Sequence, residues 1–409
     1  MSPKGDEKTY RLRRELTLFD VTVAGVGIIL GAGIYALIGV AAGETGNTTW
    51  LAFLIGAVVS AFTGFSYAEL SSVFKGDSGE YDYCTKAFGQ RFSWWAALLI
   101  LFSMIVSAST VALGFAGYFV VLLEIDFLLS AFLIVALMSL VNFVGIRMSS
   151  RFNAIATALE FLGLLLIIVL GLPHWGSVDL MEMPNGLTGV FQAGALVFFA
   201  FMGFETIVKL REETKNPDKT IPRALLLSIF ITAIVYVLVS ISAVSLLSAD
   251  KIAASSGPLA DVAAVPLGPA AFTLLAIIAL FSTSNTILLS LVTTSRMMYG
   301  MAKERSLPRL LALVHGRTRT PYVAVIVSFA LTILLALLGD IELVANMANI
   351  SLFLIFTLVN IAAIVLRRKM RKKRPFRMPL NIGWVPVLSV LGVITSLIMF
   401  VFAVMNVLQ

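Results

Sequence analysis

"GVGIILGAGIYALIG", residues 25–39, sets five glycines into fifteen residues of an otherwise apolar segment. A helix that crosses a bilayer pairs its own backbone groups, because lipid offers them no partner. Glycine weakens a helix interior by about 1 kcal/mol per position relative to alanine. A cluster of it at mid-membrane depth therefore has one of two uses. Small residues let a neighbouring helix approach, as the spacing of Gly27 and Gly31 allows. Otherwise the helix is interrupted and its freed peptide groups line a polar cavity.

Composition places that segment in a membrane. Of 409 residues, 59% are apolar and 13% charged, against about 25% charged in a typical soluble domain. Apolar stretches of about twenty residues, the length that crosses a bilayer, run near 17–43, 49–74, 92–123, 127–146, 153–172, 186–210, 221–247, 267–295, 322–339, 342–366 and 384–408. Eleven such spans predict an all-α polytopic membrane protein with almost no soluble part. The third is long enough to tilt or to project beyond the bilayer.

The net charge of +7 reports orientation. With the N-terminal segment 1–16 inside, 29 of the 30 Lys and Arg residues fall on the cytoplasmic side and only Lys251 outside. Such a split follows the positive-inside rule and predicts a multi-pass protein of the cell membrane with a cytoplasmic N-terminus. The largest basic cluster is "RRKMRKKRPFR", 367–377. No soluble platform of interleaved basic and aromatic residues supports a nucleic-acid partner. Cys84 is the single cysteine, so no internal disulfide forms. The N-terminus lacks the pattern of a cleavable signal peptide. His174 and His315, the two histidines, are predicted on opposite faces, as are Asp77 and Asp340. That separation removes clustered metal or haem ligands and a paired-aspartate site. A phosphate-binding GxxxxGK[ST] loop is lacking too. These readings argue against an enzyme, a cofactor and ATP-driven pumping.

None of the thirteen prolines falls in mid-span; Pro222, Pro269 and Pro386 are expected in first turns. Glycine must therefore make any break. A second candidate is "LVFFAFMGFETIVKL", 196–210, where Gly203 follows Ala200 and precedes the acid Glu205. Five spans separate the starts of the two marked helices, so the second enters the membrane from the other side. The expectation is a pair of inverted five-helix repeats, 17–172 and 186–366, plus an extra helix in 384–409. In such folds the first helix of each repeat is interrupted at the midplane.

These residues resemble the amino acid–polyamine–organocation superfamily of permeases. "FDVTVAGVGIILGAGIYALIG" (19–39) is similar to that family's first helix, and "FSYAEL" with "GDSGEYDY" (65–70, 76–83) to its second helix and following loop. "LVFFAFMGFETIVKLREETKNPDKTIPRAL" (196–225) resembles the sixth helix and its loop, and "TTSRMMYGMAKERSLPRLLALVHGRTRTP" (293–321) the loop after helix 8. The resemblance implies a LeuT-like bundle with discontinuous helices 1 and 6. Many members have twelve helices; this chain shows eleven.

It also implies where a substrate would sit. The α-carboxylate would meet backbone N–H groups around Gly31, Ala32 and Gly33, between Ile29 and Ile34. A half-helix N-terminus suits that anion. Ala32 lacks the hydroxyl that many relatives carry between the two glycines. The ammonium would meet carbonyls of Phe199, Ala200 and Met202, and Phe201 resembles the aromatic that covers substrate. Phe201 also reads as ordinary core or lipid-facing packing, since the chain has 29 phenylalanines.

Three acids fall within spans: Glu69, Glu160 and Glu205. No Lys or Arg lies in a span interior, so these acids are expected to lack a fixed cation. An ionised carboxylate at the bilayer centre costs about 2.5–3.5 kcal/mol on insertion scales, which makes such groups functional candidates. Each must hold a proton, accept N–H bonds or bind a mobile cation. In proton-coupled relatives the position matching Glu160 often carries lysine, so the family's lysine mechanism does not transfer. Three readings of Glu160 stand: it titrates as the coupling group, it ligates sodium with Ser282, Thr283 and Ser284 of "STSNT" (282–286), or it stays neutral between helices. Glu205 satisfies loosened backbone, meets the substrate ammonium, or joins Glu160 in ion coupling. Glu69, near the end of helix 2, suits snorkelling or gating contacts, Asn285 suits interhelical bonding, and "NPDKTIP" (216–222) suits a turn and helix start.

The resulting expectation is a secondary active transporter of amino acids working by alternating access, with proton symport ahead of sodium symport or amino acid/polyamine exchange. A channel or membrane sensor is the reading from another class. Phe201 and Met202 lean towards neutral or apolar substrates. The sequence sets no oligomeric state.

Overall fold

The computed structural model describes residues 14–75, 79–144, 147–370 and 374–408, with backbone alone for 147–154. Asp77, part of "GDSGEYDY" and most of segment 1–16 lie outside the described residues.

Each of the eleven apolar segments is helical over most of its length. The first is two helices, α1 (Leu18–Leu30) and α2 (Gly33–Thr45), with Gly31 and Ala32 between them. A capping box starts α1: Thr17 accepts from the Asp20 N–H, and Asp20 Oδ2 accepts the Thr17 N–H at 2.8 Å. Helix α3 (Thr49–Val73) follows. The segment read as a connection holds a short helix, α4 (Glu80–Phe88), which buries Tyr83 and Cys84. Next come α5 (Gln90–Leu123), at 34 residues longer than a bilayer needs, α6 (Phe127–Val144) and α7 (Arg147–Gly171).

The second marked helix is also broken. α8 (Gly186–Val197) tightens into a 3₁₀ turn over Phe198–Phe201, the chain turns at Met202 and Gly203, and 3₁₀ geometry continues over Phe204–Glu213. Runs of 3₁₀ beyond three or four residues are uncommon and often mark functional strain. Helix α9 (Pro217–Leu246) starts earlier than expected, because Asn216 is its N-cap and Pro217 takes the first position, where its missing N–H is harmless. Pro222 therefore sits in the second turn, not the first.

The connection after α9 carries two further short helices, α10 (Ala249–Ala253) and α11 (Pro258–Leu267). The chain ends with α12 (Pro269–Lys303), α13 (Tyr322–Ala336), α14 (Ile341–Lys369), a hairpin of β1 (Asn381–Ile382) and β2 (Val385–Pro386), and α15 (Val387–Leu408). Pro386 thus closes a strand instead of opening a helix.

Helix association in lipid rests on close packing and interhelical hydrogen bonds, and both hold the last helix in place. Ser66 donates to Asn360 Oδ1 at 2.6 Å and lies 2.8 Å from the Ser389 hydroxyl, while Asn360 donates to Thr63 at 2.9 Å. Gly392 of α15 packs directly on Asn360. Around the second break an aromatic core forms: Phe204 meets Tyr67 edge-on at 5.7 Å and Phe356 at 5.2 Å.

Candidate substrate site

The two breaks cross and touch. A Cβ at Gly33 would lie 2.5 Å from the Ala200 Cα, and one at Gly203 2.8 Å from Ile28 Cγ2. Gly203 also takes φ 117°, a conformation side chains resist. These glycines let one interrupted backbone lie against the other.

The loosened peptide groups find partners from other helices. The Ala32 N–H donates to Thr286 Oγ1 at 3.3 Å. The Tyr236 hydroxyl lies 2.8, 3.0 and 3.0 Å from the carbonyls of Ile29, Leu30 and Ala200. One hydroxyl carries one proton, so three carbonyls from both broken helices share a single donor. Asn349 donates to the carbonyls of Ala195 and Leu196, each at 2.8 Å, where α8 tightens. Glu205 Oε2 accepts the Gly203 N–H at 2.9 Å, and Thr206 donates to the Gly203 carbonyl at 2.7 Å. Glu205 therefore satisfies broken backbone, one of its expected roles.

A cavity of about 370 Å³ runs from the crossing towards the end of the bundle where α1 begins. Its lining includes Gly27, Ile28, Gly31, Met202, Glu160 and Thr286, together with Glu205, Lys209 and Glu80. At Glu160, Ser282 Oγ donates to Oε1 at 2.5 Å, and Tyr35 donates to the backbone carbonyl at 3.0 Å.

The expected substrate residues divide between cavity and core. Gly31 and Met202 line the cavity. Ile29, Ala32, Ile34, Phe199 and Ala200 are buried behind it, and Gly33 is sealed against Ala200. Phe201 packs edge-on to Tyr236 at 5.2 Å and against Gly56 of α3, turned away from the cavity. Of the proposed ion group, Ser282 reaches Glu160, Thr283 bonds its own helix at the Ala279 carbonyl (2.7 Å), and Ser284 is buried outside the lining.

Glu69 overturns the expectation that buried acids lack a fixed cation. Arg367 Nε donates to Oε1 at 2.6 Å and its Nη2 to Oε2; Arg374 lies at 3.3 Å, and the Met378 N–H donates at 2.9 Å. Both arginines follow the end of the apolar part of α14, and a long arginine stem lets its charged head reach a group some distance from its own backbone. Sequence reading also missed Tyr236 and Glu80 as site residues, and gave Thr286 only as one of the hydroxyls of "STSNT". Their signals were modest: a tyrosine inside an apolar span, the last residue of "STSNT", and an acid in a segment taken for a loop. Glu80 accepts from the Tyr67 hydroxyl at 2.9 Å and is 4% exposed. Among the described residues no group of His, Cys, Asp and Glu could hold a metal ion.

Interrupted helices crossing inside a polytopic bundle, with a polar cavity beside them, are the architecture of membrane transporters. The family model described as amino acid permease matches residues 16–408, and the chain belongs to that family. Its relatives are transporters and not enzymes. The chain is 30% identical to the branched-chain amino acid permease BcaP of Bacillus subtilis, over 93% of this chain and 90% of that protein. It is 30% identical to the inner membrane transport protein YbaT of Escherichia coli, over 94% and 90%. Identity to cationic amino acid transporter 1 of Arabidopsis thaliana is 27%, over 88% of this chain and 63% of that protein.

Proposed function

We propose that this protein is a proton-coupled amino acid symporter of the cell membrane, with its N-terminus cytoplasmic. The repeats 17–172 and 186–366 rock about the crossed breaks, and the cavity gives the cytoplasm access to them. The carrying observation is the contact of Gly33 with Ala200 and Ile28 with Gly203 beside a cavity that contains Glu160. Peptide groups at such a crossing can grip a zwitterion, with half-helix N-termini favouring its carboxylate.

Glu160 suits the coupling role because its side-chain partner is a hydroxyl. A serine can donate to a carboxylate or accept from a carboxylic acid, so Ser282 serves either protonation state. The cavity walls include Ile100, Met104, Met202, Leu352 and Ile355, which favours apolar side chains, in line with the substrate named for BcaP. Uptake into proteoliposomes, with proton and sodium gradients imposed separately, tests this reading. A proton gradient is expected to accelerate wild-type uptake, and Glu160→Gln to abolish that acceleration while keeping counterflow exchange. Unchanged proton dependence in the variant, or sodium dependence in the wild type, overturns it.

A further inference from the structure

The hairpin at the foot of α15 turns large apolar side chains outward. Leu380, Ile382 and Trp384 are 64%, 75% and 50% exposed. A hairpin of two-residue strands does not stand alone in water, and this one is tied down. Arg367 Nη1 donates to Asn381 Oδ1, Asn381 Nδ2 to the Met378 carbonyl at 2.9 Å, and the Val387 N–H to the Leu380 carbonyl at 3.1 Å. Its apolar face is thus presented in a fixed attitude. α14 ends at Lys369 and α15 begins at Val387, so the hairpin lies at the level where two membrane helices meet water. Tryptophan concentrates at that boundary.

The adjoining charge has a sign and a geometry. Arg367 and Arg374 are engaged by Glu69. Arg368 and Arg377 are exposed, and the Arg368 guanidinium lies 6.0 Å from the centroid of the Trp384 ring. A guanidinium resting on an aromatic face keeps its N–H fork available for a phosphate.

We propose that this hairpin, with Arg368 and Arg377, is a docking surface for anionic phospholipid. Ile382 and Trp384 seat at the boundary of headgroup and acyl chain, and the two arginines hold the phosphate. Basic residues immediately beyond a membrane helix attract anionic headgroups, and here an exposed apolar face adjoins them. This inference is independent of what the protein carries.

The test uses the full chain in phosphatidylcholine vesicles containing phosphatidylglycerol, with acyl-chain bromine on one lipid or the other. Five tryptophans emit, so wild type minus Trp384→Phe isolates Trp384. Brominated phosphatidylglycerol is expected to quench that difference more than brominated phosphatidylcholine at equal mole fraction, with about fivefold enrichment per arginine. Substituting Arg368→Gln and Arg377→Gln together should lower the preference by the share those two arginines supply and leave overall quenching. Equal quenching by both lipids in the wild type overturns the proposal. So does the absence of quenching by either, the result for a surface facing water or covered by another protein.

Discussion

Glu69 shows what a single buried residue can hide. Its carboxylate sits in a span by hydropathy, yet it organises four donors from Arg367, Arg374 and Met378. Breaking one partner of a buried ion pair leaves the other charge uncompensated, at a cost of about 3–5 kcal/mol. Glu69→Gln is therefore expected to lower the midpoint of thermal unfolding in detergent and reduce accumulation in the membrane. Adding Arg367→Met should recover part of the loss, because it removes a stranded charge. Tyr236 makes the complementary point: its one proton serves carbonyls from both broken helices, so it joins the two interruptions.

At the scale of elements, the crossing of the breaks depends on absent side chains. The atom met by a Cβ at Gly33 is backbone, at 2.5 Å, so no rotamer change relieves it. Gly33→Ala is expected to push the breaks apart and abolish uptake, and Gly203→Ala to do the same through its φ of 117° and Ile28. Gly300 in α12 is the control: nothing lies within 4 Å of its Cβ position. Gly300→Ala should leave uptake intact and stabilise the helix by up to about 1 kcal/mol. Equal loss at all three positions would tie the effect to glycine replacement in general and not to the crossing.

At the scale of the whole molecule, the cavity faces one side. Leu289 and Thr293 line it, whereas Ile34 beyond the breaks is fully buried. Cys84, the native thiol, is buried in α4, and burial pushes it up to about 12, so it stays unreactive at neutral pH. Leu289→Cys and Thr293→Cys are expected to react with a membrane-impermeant thiol reagent applied from the N-terminal face, and substrate should slow them. Ile34→Cys should resist the reagent in this conformation. Modification of Ile34→Cys at the same rate would mean that the seal beyond the breaks is open.

Sequence alone determined the apolar helices, their order and the places where two of them yield, because hydropathy and glycine's weak helix propensity act locally along the chain. It did not reveal that Arg367 reaches Glu69 across 298 positions, that Tyr236 bridges the breaks, or that Phe201 turns away from the cavity. Those outcomes belong to the tertiary structure. A hydrogen bond or a contact selects whichever group packing brings within about 3 Å, and no local pattern carries that distance.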